Sequence, residues 1–167
     1  MAKYKFRTNK ELLDFLKKDS ENAAKILSEA VENKLYDNVD KKLYQDMDEG
    51  NYYDRTNQIL NSITSDYKSS INSYRIYFEG RKITKKITKS GMFNAHADFF
   101  ANKVNKDDLI GWLENGHYVP NKGYRKGAGF MKSTETWIKN VLRAIMNDSE
   151  SGLSLSASVE KNTVNVK

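Results

Sequence analysis

Residues Ser73 to Thr88 read SYRIYFEGRKITKKIT, and this stretch decides the fold class. β-Branched and aromatic residues alternate with polar ones on either side of Glu79-Gly80, the pattern of two strands joined by a turn. The arms are expected near Tyr74–Phe78 and Lys82–Thr88. Ile76 and Phe78 share one face, with Ile83 and Ile87 opposite them, and Arg75, Lys85 and Lys89 lie on the other side. A sheet this small and half apolar needs a helix against it.

Helices are legible on both sides of the hairpin. Thr8 and Glu11 stand at capping-box spacing ahead of Leu12, Leu13, Phe15 and Leu16, so a helix is expected to begin near Asn9. Ala23, Ala24, Ile26, Leu27, Ala30, Val31 and Leu35 continue at helical spacing to about Tyr36 or past Leu43, with the polar run Lys17–Asn22 as a bend or interruption. Asp46 to Asn51, DMDEGN, gathers turn formers and reads as a loop. Asn105 followed by Lys106, Asp107 and Asp108 suits the start of a short helix to about Glu114. Residues 117–129, HYVPNKGYRKGAG, read as a basic, aromatic loop, punctuated by Gly123, Gly127, Gly129 and Pro120 after Gly116. Met131, Trp137, Ile138, Val141, Leu142 and Ile145 then predict a closing helix from about Met131 to Met146.

The expectation is an α+β fold, with a long N-terminal helix and a C-terminal helix packed on a small antiparallel β-sheet. Residues 1–148 form a single domain. Residues 149–167 are a C-terminal tail, in which Leu153, Leu155, Val164 and Val166 alternate with polar residues, as in an edge strand or a segment ordered by a partner.

Composition narrows the function classes. A chain of 167 residues supports one domain with a real core. Its content of 38% hydrophobic and 30% charged residues is that of a polar globular protein. No apolar run nears the roughly 20 residues of a membrane helix, so a soluble protein without membrane contact is expected. The start, MAKYKFRTNKELL, has no apolar core of a secretory signal. There is no cysteine, which excludes disulfides, thiolate metal sites and cysteine nucleophiles. The net charge of +6 favours polyanions, but the basic residues are interleaved with 22 acids, as on an ordinary solvated surface.

Little in the chain points to catalysis. The two histidines, His96 and His117, lie in unrelated contexts. His96 and Asp98 in NAHADFF supply two ligand types without a third at supporting spacing, and a partly buried or interface ring is the simpler role for His96. Phosphate-loop, nucleophile-elbow and dinucleotide motifs are absent, and a helix start and a solvated turn account for Asp107-Asp108 and Asp46/Asp48/Glu49. No catalytic, cofactor-binding or metal residue is assigned, and no cofactor is expected. Aromatics are plentiful, with ten Tyr, seven Phe and two Trp. Tyr52, Tyr53, Tyr118 and Tyr124 sit in or beside the expected loops, where such rings anchor protein contacts. Tyr118, Lys122, Tyr124, Arg125 and Lys126 interleave rings and cations, a pattern that can also stack on or clamp DNA.

Three short segments carry a resemblance. In YDRTNQILNSIT, residues 53–64, Ile59, Leu60 and Ile63 fit one amphipathic turn capped by Asp54 or Thr56. Arg55-Thr56, followed by Leu60, Ser62 and Ile63, also resembles the R-T-G-x-L-x-x-S-I segment of the tailed-phage neck and tail-completion family, which includes minor tail proteins of the lambda Z type. Trp112-Leu113-Glu114-Asn115-Gly116-His117 is similar to that family's aromatic-x-E-x-G-T segment, and Gly129-Phe130-Met131-Lys132 resembles its P-F-L-R helix start. The order matches, and the resemblance spans roughly Asn9 to Met146. Asn57, His117 and Gly129 stand where the family favours glycine, threonine and proline; asparagine still tolerates a left-handed turn, while glycine leaves the helix start less constrained.

The resemblance implies a structural virion protein at the head–tail interface, assembled in the host cytoplasm. Copies would form a homo-oligomeric ring of six- or twelve-fold order that completes the neck or tail end, meets portal-side, neck and tail-tube proteins, and leaves a channel for DNA. Arg55, Thr56, Trp112, Glu114 and Phe130 become structural or interface candidates, and Tyr118, Lys122, Tyr124, Arg125 and Lys126 candidates for contact with a partner or passing DNA. The alternative is a DNA-binding protein that uses the basic aromatic loop 116–129.

Overall fold

The computed structural model describes residues 6–45, 58–83, 106–119, 123–148 and 152–167. The N-terminal helical region is two helices. Helix α1 (Asn9–Lys18) starts as its capping spacing predicts: the Glu11 N–H donates to Thr8 Oγ1 at 3.2 Å, and the Glu11 carboxylate accepts from the Arg7 N–H at 2.9 Å. The polar run that follows offers no apolar anchor and tightens into a 3₁₀ turn, Ser20–Asn22. Helix α2 (Ala23–Val39) then runs for 17 residues and continues as a short π-helical segment, Asp40–Gln45.

Eight residues of α2 are buried, including Ile26, Leu27, Val31, Leu35 and Val39, because this helix packs against several neighbours at once. It meets a four-stranded sheet, α1 and the last helix, α5 (Phe130–Asn147). The helices are tied by two polar bonds as well as by packing. Trp137 Nε1 donates to Asn9 Oδ1 at 3.0 Å, and Asn38 Nδ2 donates to Thr134 Oγ1 at 2.9 Å. Thr134 is fully buried and passes its own proton to the Phe130 carbonyl, so neither of its hydrogen-bonding roles is left open.

The sheet corrects the expected pairing. After a short helix α3 (Gln58–Ser62), strand β1 (Ile63–Lys68) turns through Ser69–Ile71 and Asn72, in left-handed conformation at φ 47°, into β2 (Ser73–Phe78). The expected arm Tyr74–Phe78 is thus β2, but its hairpin partner is β1, upstream, in place of the arm expected at Lys82–Thr88. Strand β2 has β1 on one side and the last strand of the chain on the other, so no edge is free for a Lys82–Thr88 arm. Lys82 belongs to a 3₁₀ turn, Gly80–Lys82, and residues 84–88 lie outside the described residues.

The residues set apart as a tail also pair into this sheet. Strands β5 (Ala157–Glu160) and β6 (Thr163–Val166) form a hairpin that inserts β6 beside β2, giving the order β1-β2-β6-β5, antiparallel throughout. Val164 and Val166 are fully buried against the same core as Ile76 and Leu27, so this chain's own sheet orders them. The fold class is α+β: helices with a small antiparallel sheet.

The third correction concerns residues 116–129. Helix α4 (Lys106–Asn115) leads directly into β3 (Gly116–Val119), which pairs with β4 (Gly123–Lys126) as a separate two-stranded ribbon. Glycines and a proline suggested a loop, but residues 116–119 and 123–126 pair as strands: Gly116 at φ 84° turns the chain out of the helix, and Gly123 begins the returning strand.

Candidate functional site

The ribbon is held at its base by the end of α4, and Glu114 makes the decisive contacts. Its carboxylate accepts from the main-chain N–H of Met131 at 2.8 Å and of Lys132 at 2.9 Å, while its carbonyl accepts from the Gly129 N–H at 3.0 Å. The Leu113 carbonyl accepts from Ala128 at 2.7 Å. Helix α5 has no capping side chain of its own, since its N-cap is Gly129 at φ 66°. The anion from α4 supplies that cap, where the positive end of the helix dipole favours it.

Gly127 permits this closure. A β-carbon there would lie 2.2 Å from the Glu114 carbonyl oxygen and 2.4 Å from the Asn115 carbonyl carbon and the Gly116 nitrogen. Those are backbone atoms that cannot swing aside, so only glycine lets the strand pass. On the far side, Phe130 is fully buried and meets Phe78 edge-on, with ring centroids 5.7 Å apart. The clamp thus links α4, the ribbon, α5 and the sheet.

The structure brings together some of the residues singled out in the sequence. Glu114 and the Phe130 helix start are directly bonded through the N–H groups that follow Phe130. Trp112 is half-buried on α4. On the ribbon, Tyr118 stands opposite Tyr124 and His117 opposite Arg125, while Lys126 is exposed at its base, opposite Gly116. Arg55, Thr56, Lys122, His96 and Asp98 lie outside the described residues.

One polar arrangement had no signal in the local pattern. On the face of the sheet away from α2, Arg75 of β2 forms a two-pronged pair with its cross-strand partner Asp66, with Nε at 3.1 Å and Nη2 at 2.8 Å from the two carboxylate oxygens. Its guanidinium lies 4.4 Å from the Tyr77 ring centroid. The hydrogen bond to Asp66 raises the Arg75 pKa above the ordinary arginine value, against an opposing desolvation. Both side chains are partly exposed, so this is a strand-pairing device of modest strength.

Among the described residues no three His, Cys, Asp or Glu side chains converge as a metal site, and no helix is long and apolar enough to cross a membrane. Set beside protein-family models, curated proteins and solved structures, the chain matches none of them.

Proposed function

We propose that the chain is a structural virion protein of a tailed phage, a neck or tail-completion subunit whose copies form a ring between the capsid portal and the tail. The observation that carries this reading is the bond from Glu114 to the start of α5. Two of the three short segments that resemble the phage family meet in space, one capping the other, so their order in the chain has a physical reason. The α+β arrangement, with helices on one face of a small antiparallel sheet, is also what the resemblance implies.

The work on this reading is mechanical. The ring joins neck, portal-side and tail-tube proteins in the virion after assembly in the host cytoplasm. DNA passes through the channel, and lumen-facing cations meet its phosphates without reading sequence. Negative-stain imaging of the purified protein mixed with portal and tail preparations tests it. Rings seated at the portal-facing end of the tail support it; persistent monomers that associate with neither component overturn it.

A second reading has one observation in its favour. The segment expected as a loop is a two-stranded ribbon carrying Arg125 and Lys126, and a β-ribbon has the dimensions to enter a DNA major groove. Tight binding to random duplex at moderate salt, lost in K122A/R125A/K126A, would favour DNA binding over the neck role.

A further inference from the structure

We infer that copies of this chain join head to tail through the two edges of the four-stranded sheet, β5 of one copy adding antiparallel to β1 of the next. This supplies the subunit contact of the proposed ring and rests on that reading only for ring closure.

The strand count makes the geometry consistent. Four strands that alternate in direction leave β1 and β5 running oppositely, so a second copy set alongside with the same face inward offers an antiparallel partner. The free backbone groups also match. Ser156 and Lys167 exchange two bonds of 2.9 Å, so in the alternating antiparallel ladder Ser158 and Glu160 also bond towards β6. Leu155, Ala157 and Val159 then direct their N–H and C=O groups outward. On β1 the Glu79 N–H donates to the Ser62 carbonyl at 2.7 Å, which sets Thr64 and Asp66 bonding towards β2 and turns the groups of Ile63, Ser65 and Tyr67 outward. Among the described residues, no partner is found for either set.

Side chains fix the register. Leu155, Ala157 and Val159 are half-buried and packed on the core, and Ile63, Ser65 and Tyr67 share that face because they stand opposite Phe78, Ile76 and Tyr74. Setting Ala157 against Ser65 places Leu155 beside Tyr67 and Val159 beside Ile63 on the apolar face. On the polar face Ser158 meets Thr64 and Ser156 meets Asp66, a hydroxyl against a carboxylate, and Ser154 meets Lys68. No like charges are opposed. A slip of one residue would turn the apolar set of one strand to the wrong face; a slip of two one way would set Ile63 against Lys161, and the other way would set Leu155 against Ser65 and leave Ile63 the smaller Ala157.

Two further features agree. Tyr67 is 53% exposed, and the pairing covers it with Leu155 of the next copy. The run Leu153–Val159, LSLSASV, holds no charge or proline, the devices that ordinarily protect an edge from pairing. Two-fold pairing of β5 with β5 would leave the β1 edge and Tyr67 open, whereas the head-to-tail contact uses both edges at once and closes into a ring when the rotation permits.

The absence of cysteine makes a disulfide test clean. Thr64 and Ser158 would form a non-hydrogen-bonded cross-strand pair, with Cα atoms about 4.5 Å apart, within disulfide reach. In the full chain, mild oxidation of T64C/S158C should give a ladder of covalent multimers, each single variant no covalent dimer, and an equimolar mixture of the two singles a dimer and nothing larger. Ala157→Pro removes only an outward N–H, so it should reduce the assembled mass to monomer with an unchanged circular dichroism spectrum. A covalent dimer from either single variant, or no disulfide in T64C/S158C, overturns the inference. If wild type and Ala157→Pro assemble alike without the disulfide, the edge contact fails and the ring reading stands. If the disulfide forms but imaging finds open filaments, the edge contact stands and the ring reading fails.

Discussion

Glu114 Oε2 accepts a hydrogen bond from the main-chain N–H of Met131 at 2.8 Å, across 17 residues of chain that leave as a ribbon and return. The bond converts two separate sequence segments into one joint. Glu114→Ala should therefore lower stability by roughly 2 kcal/mol, about 4–8 °C in Tm, since two N–H groups at the α5 start lose their acceptor. Glu114→Gln, which keeps an oxygen but loses the charge, should lose about half as much. Thermal denaturation followed by circular dichroism measures both; an unchanged Tm in Glu114→Ala would contradict the capping role.

Two neighbouring glycines should respond differently to the same substitution. Gly127→Ala drives a methyl group into backbone and should cost about 3 kcal/mol by overpacking. Gly129→Ala meets no atom and strains only its left-handed backbone, a cost of about 1 kcal/mol. Urea denaturation of the two variants gives the ranking.

Lys161, in the turn between β5 and β6, holds φ at 49°, a conformation that disfavours a side chain. Lys161→Gly should raise stability by about 0.5–1 kcal/mol. A loss of stability would place the turn in another conformation.

The Arg75–Asp66 pair should contribute little on its own. Arg75→Met should cost only about 0.5 kcal/mol, after allowance for solvent screening of a half-exposed pair. The pKa of Arg75 is raised in the fold, so its contribution is complete below the unfolded arginine value and is lost only as pH rises through the higher folded one. Arg75 therefore adds no pH dependence between pH 7 and 10, which a comparison of wild type and Arg75→Met denaturation across that range checks.

What could be read in the sequence was local. The cap at Thr8, the break after Lys18, the helix ending near Glu114 and the closing helix each follow from a few adjacent residues. Strand β2 was also legible, because Tyr74, Ile76 and Phe78 alternate over a central position in the sheet. Its partners were not. β1 is a partly exposed edge whose Ser65 and Lys68 hide the alternation, and β6 comes from the far end of the chain, so no local period announces either pairing. Asn72 was the available signal for the upstream turn, since asparagine tolerates a positive φ. At the candidate site, Glu114 and Phe130 were found through a resemblance of motifs, but the carboxylate's role needed coordinates. Gly127 was missed because a glycine admitting close backbone approach looks, in sequence, like a glycine in a loop.

Assembly is the central claim, and the native mass of the purified full chain bears on it most directly. Native mass spectrometry across a concentration series should find one closed species of six or twelve copies, with no even ladder of growing sizes. A chain that remains monomeric throughout, or stops at a two-fold dimer, would contradict the account.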